Sequence, residues 1–116
     1  MTIHLYGIPN CDSVRKARKW LEAEGRDHVF HDFKKEGVDP AKVKAWIATK
    51  GLDVVVNRRG TTFRKLSEGD KVASQDSHSA VALLVQRPSL IKRPVVEHEG
   101  GILIGFKENE WSQSLS

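Results

Sequence analysis

Two short apolar runs with a single helical stripe between them constrain this chain more than any other feature. Thr2-Ile3-His4-Leu5-Tyr6 reads as a buried strand, and His28-Val29-Phe30-His31-Asp32 reads as a second. Between them Val14, Ala17, Trp20 and Leu21 recur at helical spacing, with Arg15, Lys16, Arg18 and Lys19 interleaved. Gly25 supplies a C-terminal stop, and Asp12 or Ser13 is placed to cap the first turn. Strand, helix and strand within about 30 residues make a βαβ unit, whose strands are parallel neighbours joined by a right-handed crossover.

The rest of the chain alternates helical signals with one hairpin. Lys34 to Gly37 reads as a polar loop. Asp39 followed by Pro40 is a helix start, with Val43, Trp46 and Ile47 on the buried face and Gly51 at the end. Leu52 to Asn57 reads as a short helix and Arg58 to Thr62 as a loop, with Phe63 and Leu66 tethering the next stretch to the core. Residues 67–76 are polar and turn-rich. Ser77 or Ser79 opens a helix buried through Ala80, Val81, Leu84 and Val85, which stops before Pro88. Val95 to Glu99 and Ile102 to Phe106 flank Gly100-Gly101, a hairpin signal, and a short helix is expected over Glu108 to Ser112. The order β-α-β, helices, β-β-α predicts an α/β, thioredoxin-like fold: a four-stranded mixed sheet with flanking helices and a helical insertion at about 33–76. One domain is expected over the 116 residues.

Several function classes are unexpected on these numbers. The net charge is +4, but the lysines and arginines are scattered among 15 acids, so nucleic-acid binding is not expected. No apolar stretch approaches the ~20 residues that cross a bilayer, and the start lacks a basic region followed by a long apolar run. A cytoplasmic monomer is expected. His28 and His31 are three apart in a strand and so face opposite ways, and with no cysteine pair a metal site is not expected.

The candidate chemistry centres on Cys11, the only cysteine. Leu5-Tyr6, a tight turn through Gly7-Ile8-Pro9-Asn10 and the helix after it place it at a helix N-terminus. Free backbone N–H groups and the positive end of the helix dipole favour an anion there, and such cysteines ionise below the usual pKa of about 8.5. The polar neighbours Asn10, Asp12 and Ser13 speak against a thiol that merely fills core space. The amides of Asp12, Ser13 and Val14 are placed to steady the sulfur, and Arg15 lies one turn on. In the thioredoxin-like plan the proline before the third strand is cis and faces the cysteine, which would set Arg93 and Pro94 beside Cys11. Arg58 and Arg59 read either as surface loop charges or as an anion clamp.

Three segments together resemble the arsenate-reductase-like (ArsC/Spx) family, in its YffB-type branch. They are Leu5-Tyr6-Gly7-Ile8-Pro9-Asn10-Cys11-Asp12, Asn57-Arg58-Arg59-Gly60-Thr61-Thr62-Phe63-Arg64-Lys65-Leu66 and Ile91-Lys92-Arg93-Pro94, within a resemblance running from about residue 2 to residue 107. The resemblance implies a thioredoxin-like fold and a nucleophilic cysteine, with Arg15 and Arg93 as the arginines that carry over. The family's arsenate reductases finish their reaction with glutathione and glutaredoxin. Two of their arginines are not matched: one falls near Asn57, replaceable by Arg58 or Arg59 only if that loop is shifted, and one falls in Gly105-Phe106-Lys107. A small oxyanion needs several convergent donors, so these departures move the expected target from arsenate toward thiols. The regulator branch, which binds RNA polymerase, often carries Cys-x-x-Cys, whereas Val14 stands at the second position here.

The expected activity is therefore a glutathione-dependent thiol reductase working through a mixed disulfide on Cys11. Asn10, Asp12, Ser13, Val14, Arg15, Arg59, Arg93 and Pro94 are its expected substrate-binding residues. No bound cofactor is expected. Glutathione serves as co-substrate, the partner is glutathione or a glutathionylated or disulfide substrate, and glutaredoxin is a candidate further partner. Arsenate reduction and a non-catalytic, polymerase-binding role are the alternatives.

Overall fold

The first strand organises everything around it. In the computed structural model, which describes residues 2–115, β1 (Ile3–Gly7) runs parallel to β2 (His28–Asp32) and antiparallel to β3 (Val95–His98), which pairs with β4 (Gly101–Ile104). The order is β2-β1-β3-β4, a four-stranded mixed sheet. Leu5 sits at its centre, opposite Phe30 on one side and Val96 on the other, with Leu103 beyond.

The sheet belongs to a compact unit made of the chain up to Glu36 and from Arg93 onward. On one of its faces lie α1 (Asp12–Ala23) and α8 (Glu108–Ser114). The expected stripe is buried there: Val14, Ala17 and Leu21 pack with Ile3, Leu5, Val96, Leu103, Trp111 and Leu115, while Trp20 and Phe106 are partly buried against the cluster. Each fully buried aliphatic or aromatic side chain contributes roughly 1.5–3 kcal/mol. Trp111 meets Phe106 edge-on at 4.9 Å, and its Nε1–H donates to the Gly105 carbonyl at 3.0 Å.

The opposite sheet face carries a polar array. His4 and His31 share a 2.9 Å hydrogen bond, His31 Nδ1 lies 2.9 Å from Glu36, and the Tyr6 hydroxyl donates to Glu97 at 2.8 Å. His28 points the other way, where Arg18 of α1 reaches it at 3.3 Å. The alternation expected for His28 and His31 is therefore present.

Gly37–Lys92 forms the second compact unit. It holds α3 (Pro40–Lys50), α4 (Leu52–Val55), α5 (Thr61–Arg64), α6 (Glu68–Ala73) and α7 (Ser77–Gln86), then a 3₁₀ turn over Pro88–Leu90. Asp39 caps α3 by accepting from the Ala41 amide, with Pro40 in the first turn. A bridge between Val56 and Ile91 closes the unit, flanked by 2.8 Å bonds from Asn57 N–H to Leu90 O and from Lys92 N–H to Val55 O. The unit runs over Gly37–Lys92, and the insertion expected from the sequence is about 33–76.

Four local expectations need correction. The Lys34–Gly37 loop is largely a one-turn helix, α2 (Phe33–Glu36), because Asp32 accepts from the Lys34 amide and Glu36 reaches back to the Asp32 amide. The stretch 67–76 contains α6, since Ser67 caps it by accepting from the Asp70 amide, a Ser-x-x-acid start signal. The Arg58–Thr62 loop ends early, where α5 begins at Thr61. In α7 the buried set includes Leu83, while Val85 is only half-buried, because Leu83 and Leu84 together occupy the inward face.

Candidate active site

Helix α1 begins where the sequence placed it, but its cap is neither Asp12 nor Ser13. Cys11 itself is the N-cap residue, with extended backbone angles (φ −101°, ψ 129°), and its carbonyl takes the first helical bond from the Arg15 amide at 2.9 Å. Asp12 is already helical, and its carboxylate is drawn sideways into an ion pair with Arg15 on the exposed surface. The N-cap position aims a side chain at the amides of the second and third helical residues. Here that side chain ends in sulfur.

Cys11 is half-buried, so its thiol is packed yet reachable. Burial pushes its pKa up, but three groups more than offset this: the Val14 amide, the Arg93 guanidinium and the Ser13 amide. The net result is a thiol that ionises below its usual range. Arg93 acts both as hydrogen-bond donor to the sulfur and as a nearby positive charge, the combination that favours a thiolate. It reaches the site from the start of β3, across a cis Arg93–Pro94 bond. The Pro94 carbonyl accepts from the Gly105 amide at 2.8 Å, so the residue that follows Arg93 is tied to the end of β4 and, through Gly105, to Trp111.

The remaining expected residues divide. Asn10 and Ser13 are exposed at the turn, Val14 is fully buried and Pro94 is buried. The guanidinium of Arg15 is engaged by Asp12, on the solvent side of the first turn. Arg59 is exposed and belongs to the Gly37–Lys92 unit. Its neighbour Arg58 is committed to that unit's own structure: it donates to Asp53 at 3.1 Å and to the hydroxyl and carbonyl of buried Ser74 at 2.9 Å each, with its guanidinium over Phe63. Of the two loop arginines, Arg58 is therefore the structural one. Sequence reasoning missed Gly105, whose signal was a glycine closing the hairpin just before Phe106, at a backbone φ of +79° that favours glycine. Among the described residues no group of three or more His, Cys, Asp or Glu is placed to hold a metal, and no helix is long and apolar enough to cross a membrane.

A cysteine at the N-cap of a helix packed on a four-stranded mixed sheet, with an arginine from the start of β3 beside its sulfur, belongs to a thioredoxin-like scaffold. The chain belongs to the ArsC family, whose model matches residues 6–114. It is similar to the solved YFFB (PA3664) protein, at 44% identity and TM-score 0.94, covering 99% of this chain and 100% of that one. It is also similar to an arsenate reductase (ArsC) related protein from Brucella melitensis, at 42% identity and TM-score 0.76, covering 100% of this chain and 96% of that one. The global transcriptional regulator Spx of Bacillus subtilis is 30% identical over 93% of this chain and 82% of its own.

Proposed function

We propose that this protein is a thiol reductase that works through Cys11 and depends on glutathione. The observation that carries this reading is the half-exposed, single thiol whose ionised form is favoured by the Val14 and Ser13 amides and by Arg93. Only the thiolate is nucleophilic, and a chain with one cysteine has no second thiol to release a bound product. The Cys11 thiolate attacks the glutathione sulfur of a glutathionylated thiol. A Cys11–glutathione disulfide forms, and the substrate leaves as a thiolate that takes a proton from water. A second glutathione, as its thiolate, attacks the same glutathione sulfur, releasing oxidised glutathione and the Cys11 thiolate. The sum is one mixed disulfide and one glutathione converted to one thiol and one oxidised glutathione. Arg93, with Arg15, would hold glutathione carboxylates.

Mass spectrometry after treatment with oxidised glutathione should show a single adduct on Cys11, and glutathione-coupled reduction of a glutathionylated peptide should vanish in Cys11→Ser. Alkylation of Cys11 at pH 6 no faster than a free peptide thiol would sink the reading. Arsenate turnover with glutathione and glutaredoxin above the Cys11→Ser control would instead favour the reaction of the arsenate-reductase-related relatives. The likeness to Spx supports a second reading as a regulatory binding module. Enrichment of RNA polymerase in a pull-down, unaffected by Cys11→Ser, would favour that reading over both enzymes.

A further inference from the structure

Gly7 closes β1 opposite Asp32 of β2, and it is buried. Its φ is not in the left-handed region, so its backbone does not demand glycine. The space around it does. A β-carbon built there would lie 2.7 Å from Cγ2 of Val14, with Cγ1 and Cβ of Val14 at 3.7 and 3.8 Å. Carbon atoms pack at about 3.5–4.0 Å, so a contact of 2.7 Å is a clash that something must relieve.

Val14 has little freedom to give way. It is fully buried within the cluster that holds Leu5, Ala17 and Leu21. A β-branched side chain in a helix is confined largely to one χ1 rotamer. With the side chain locked, the relief must come from backbone, at the end of β1 and in the first turn of α1. That backbone carries the Val14 amide, one of the groups that favour the ionised sulfur, and the same turn includes the Arg15 N–H to Cys11 carbonyl bond at 2.9 Å.

We infer that Gly7 is a positioning residue for the Cys11 nucleophile: it leaves the space in which Val14 seats, and so holds the Val14 amide at the sulfur. The inference rests on the thiol chemistry proposed above. The atoms that a Gly7 β-carbon would meet all belong to Val14, so Gly7 acts through that side chain.

The test is a double-mutant cycle read on the thiol itself. Thiolate absorbance against pH, and the alkylation rate at pH 6, are measured for the wild-type chain, Gly7→Ala, Val14→Ala and Gly7→Ala/Val14→Ala, with circular dichroism and urea unfolding alongside. Gly7→Ala should move the titration upward and slow alkylation at pH 6 by roughly threefold to tenfold, the effect of weakening one hydrogen bond to a charged group. In the Val14→Ala background the same change should have much less effect, because the clashing methyl is gone. An equal shift in both backgrounds, or no shift in the wild-type background, overturns the inference. Should Gly7→Ala fail to fold alone, Val14→Ala and the double variant decide: rates within about twofold support it, and a larger gap or an unfolded double variant overturns it. An ordinary thiol titration in the wild-type chain would instead be the failure of the proposed function, separately visible.

Discussion

The guanidinium of Arg93 donates to the sulfur of Cys11, joining the start of β3 to the N-cap of α1. The register of the sheet makes this meeting possible. Tyr6 pairs with Val95, so the residues just past the end of β1 and those just before β3 lie side by side. A cation delivered from the sheet side supplements the amides of the helix side, and neither source alone surrounds the sulfur.

Replacing Arg93 should therefore act on reactivity before it acts on the fold. Arg93→Ala removes a donor and a positive charge from a half-exposed site, worth about 1 kcal/mol after solvent screening, or roughly fivefold in rate. The Cys11 titration should move upward and alkylation at pH 6 should slow accordingly. Arg93→Lys should recover part of the loss, since it keeps the charge but not the planar fork. Iodoacetamide kinetics against pH check both.

The two loop arginines should separate cleanly. Arg58→Ala strips partners from the hydroxyl and carbonyl of Ser74, which is fully buried, and should cost about 1–3 kcal/mol in urea unfolding. Its contact with Asp53 adds little, because that carboxylate is 88% exposed. Arg59→Ala, on an exposed residue, should leave the unfolding midpoint unchanged.

Trp111 should link core stability to the wall of the site. Trp111→Phe leaves the Gly105 carbonyl without its 3.0 Å donor and removes ring area beside Phe106 and Trp20. A loss of about 2 kcal/mol in thermal or urea unfolding is expected. Amide exchange at Gly105, whose N–H holds Pro94, should quicken more than exchange in α3.

Acid should destabilise the protein in two stages. Burial, then the charge of Arg18, holds the His28 imidazole below the ordinary histidine value of 6.5, so the unfolded chain binds the extra proton first and stability falls as pH drops below about 6.5. A hydrogen bond from His31 lowers the Glu36 carboxyl, and the amide and hydroxyl of Ser79 lower that of Asp76. Both contribute stability above their unfolded values of 4.5 and 3.8 and lose it as pH falls further. Urea midpoints measured from pH 8 to pH 3 should show both stages, and His28→Gln should remove the upper one.

Local signals settled much of the fold because they were redundant. The stripe Val14-Ala17-Leu21, the Asp39-Pro40 start and the Gly100-Gly101 turn each combine periodicity with a terminator, and each element is present, with the second hairpin strand at Gly101–Ile104 in place of the expected Ile102 to Phe106. The elements at 33–36 and 68–73 escaped because they are short and held by side chains of Asp32, Glu36 and Ser67, with no apolar stripe to give them away.

For the site, the sequence by itself determined that a lone thiol would stand at the head of a helix, since strand, turn and helix signals lie within a dozen consecutive residues. It also determined that any redox cycle on this thiol lacks an internal partner. Only the tertiary structure decided which groups meet the sulfur. Arg93 and Arg15 were equal candidates by motif, yet strand pairing delivers Arg93 to Cys11 while Arg15 is taken by the nearer Asp12. Arg58 and Arg59 were likewise interchangeable in sequence until buried Ser74 claimed the first. Charge partners are chosen by three-dimensional distance, and pairing in space is what a linear pattern does not encode.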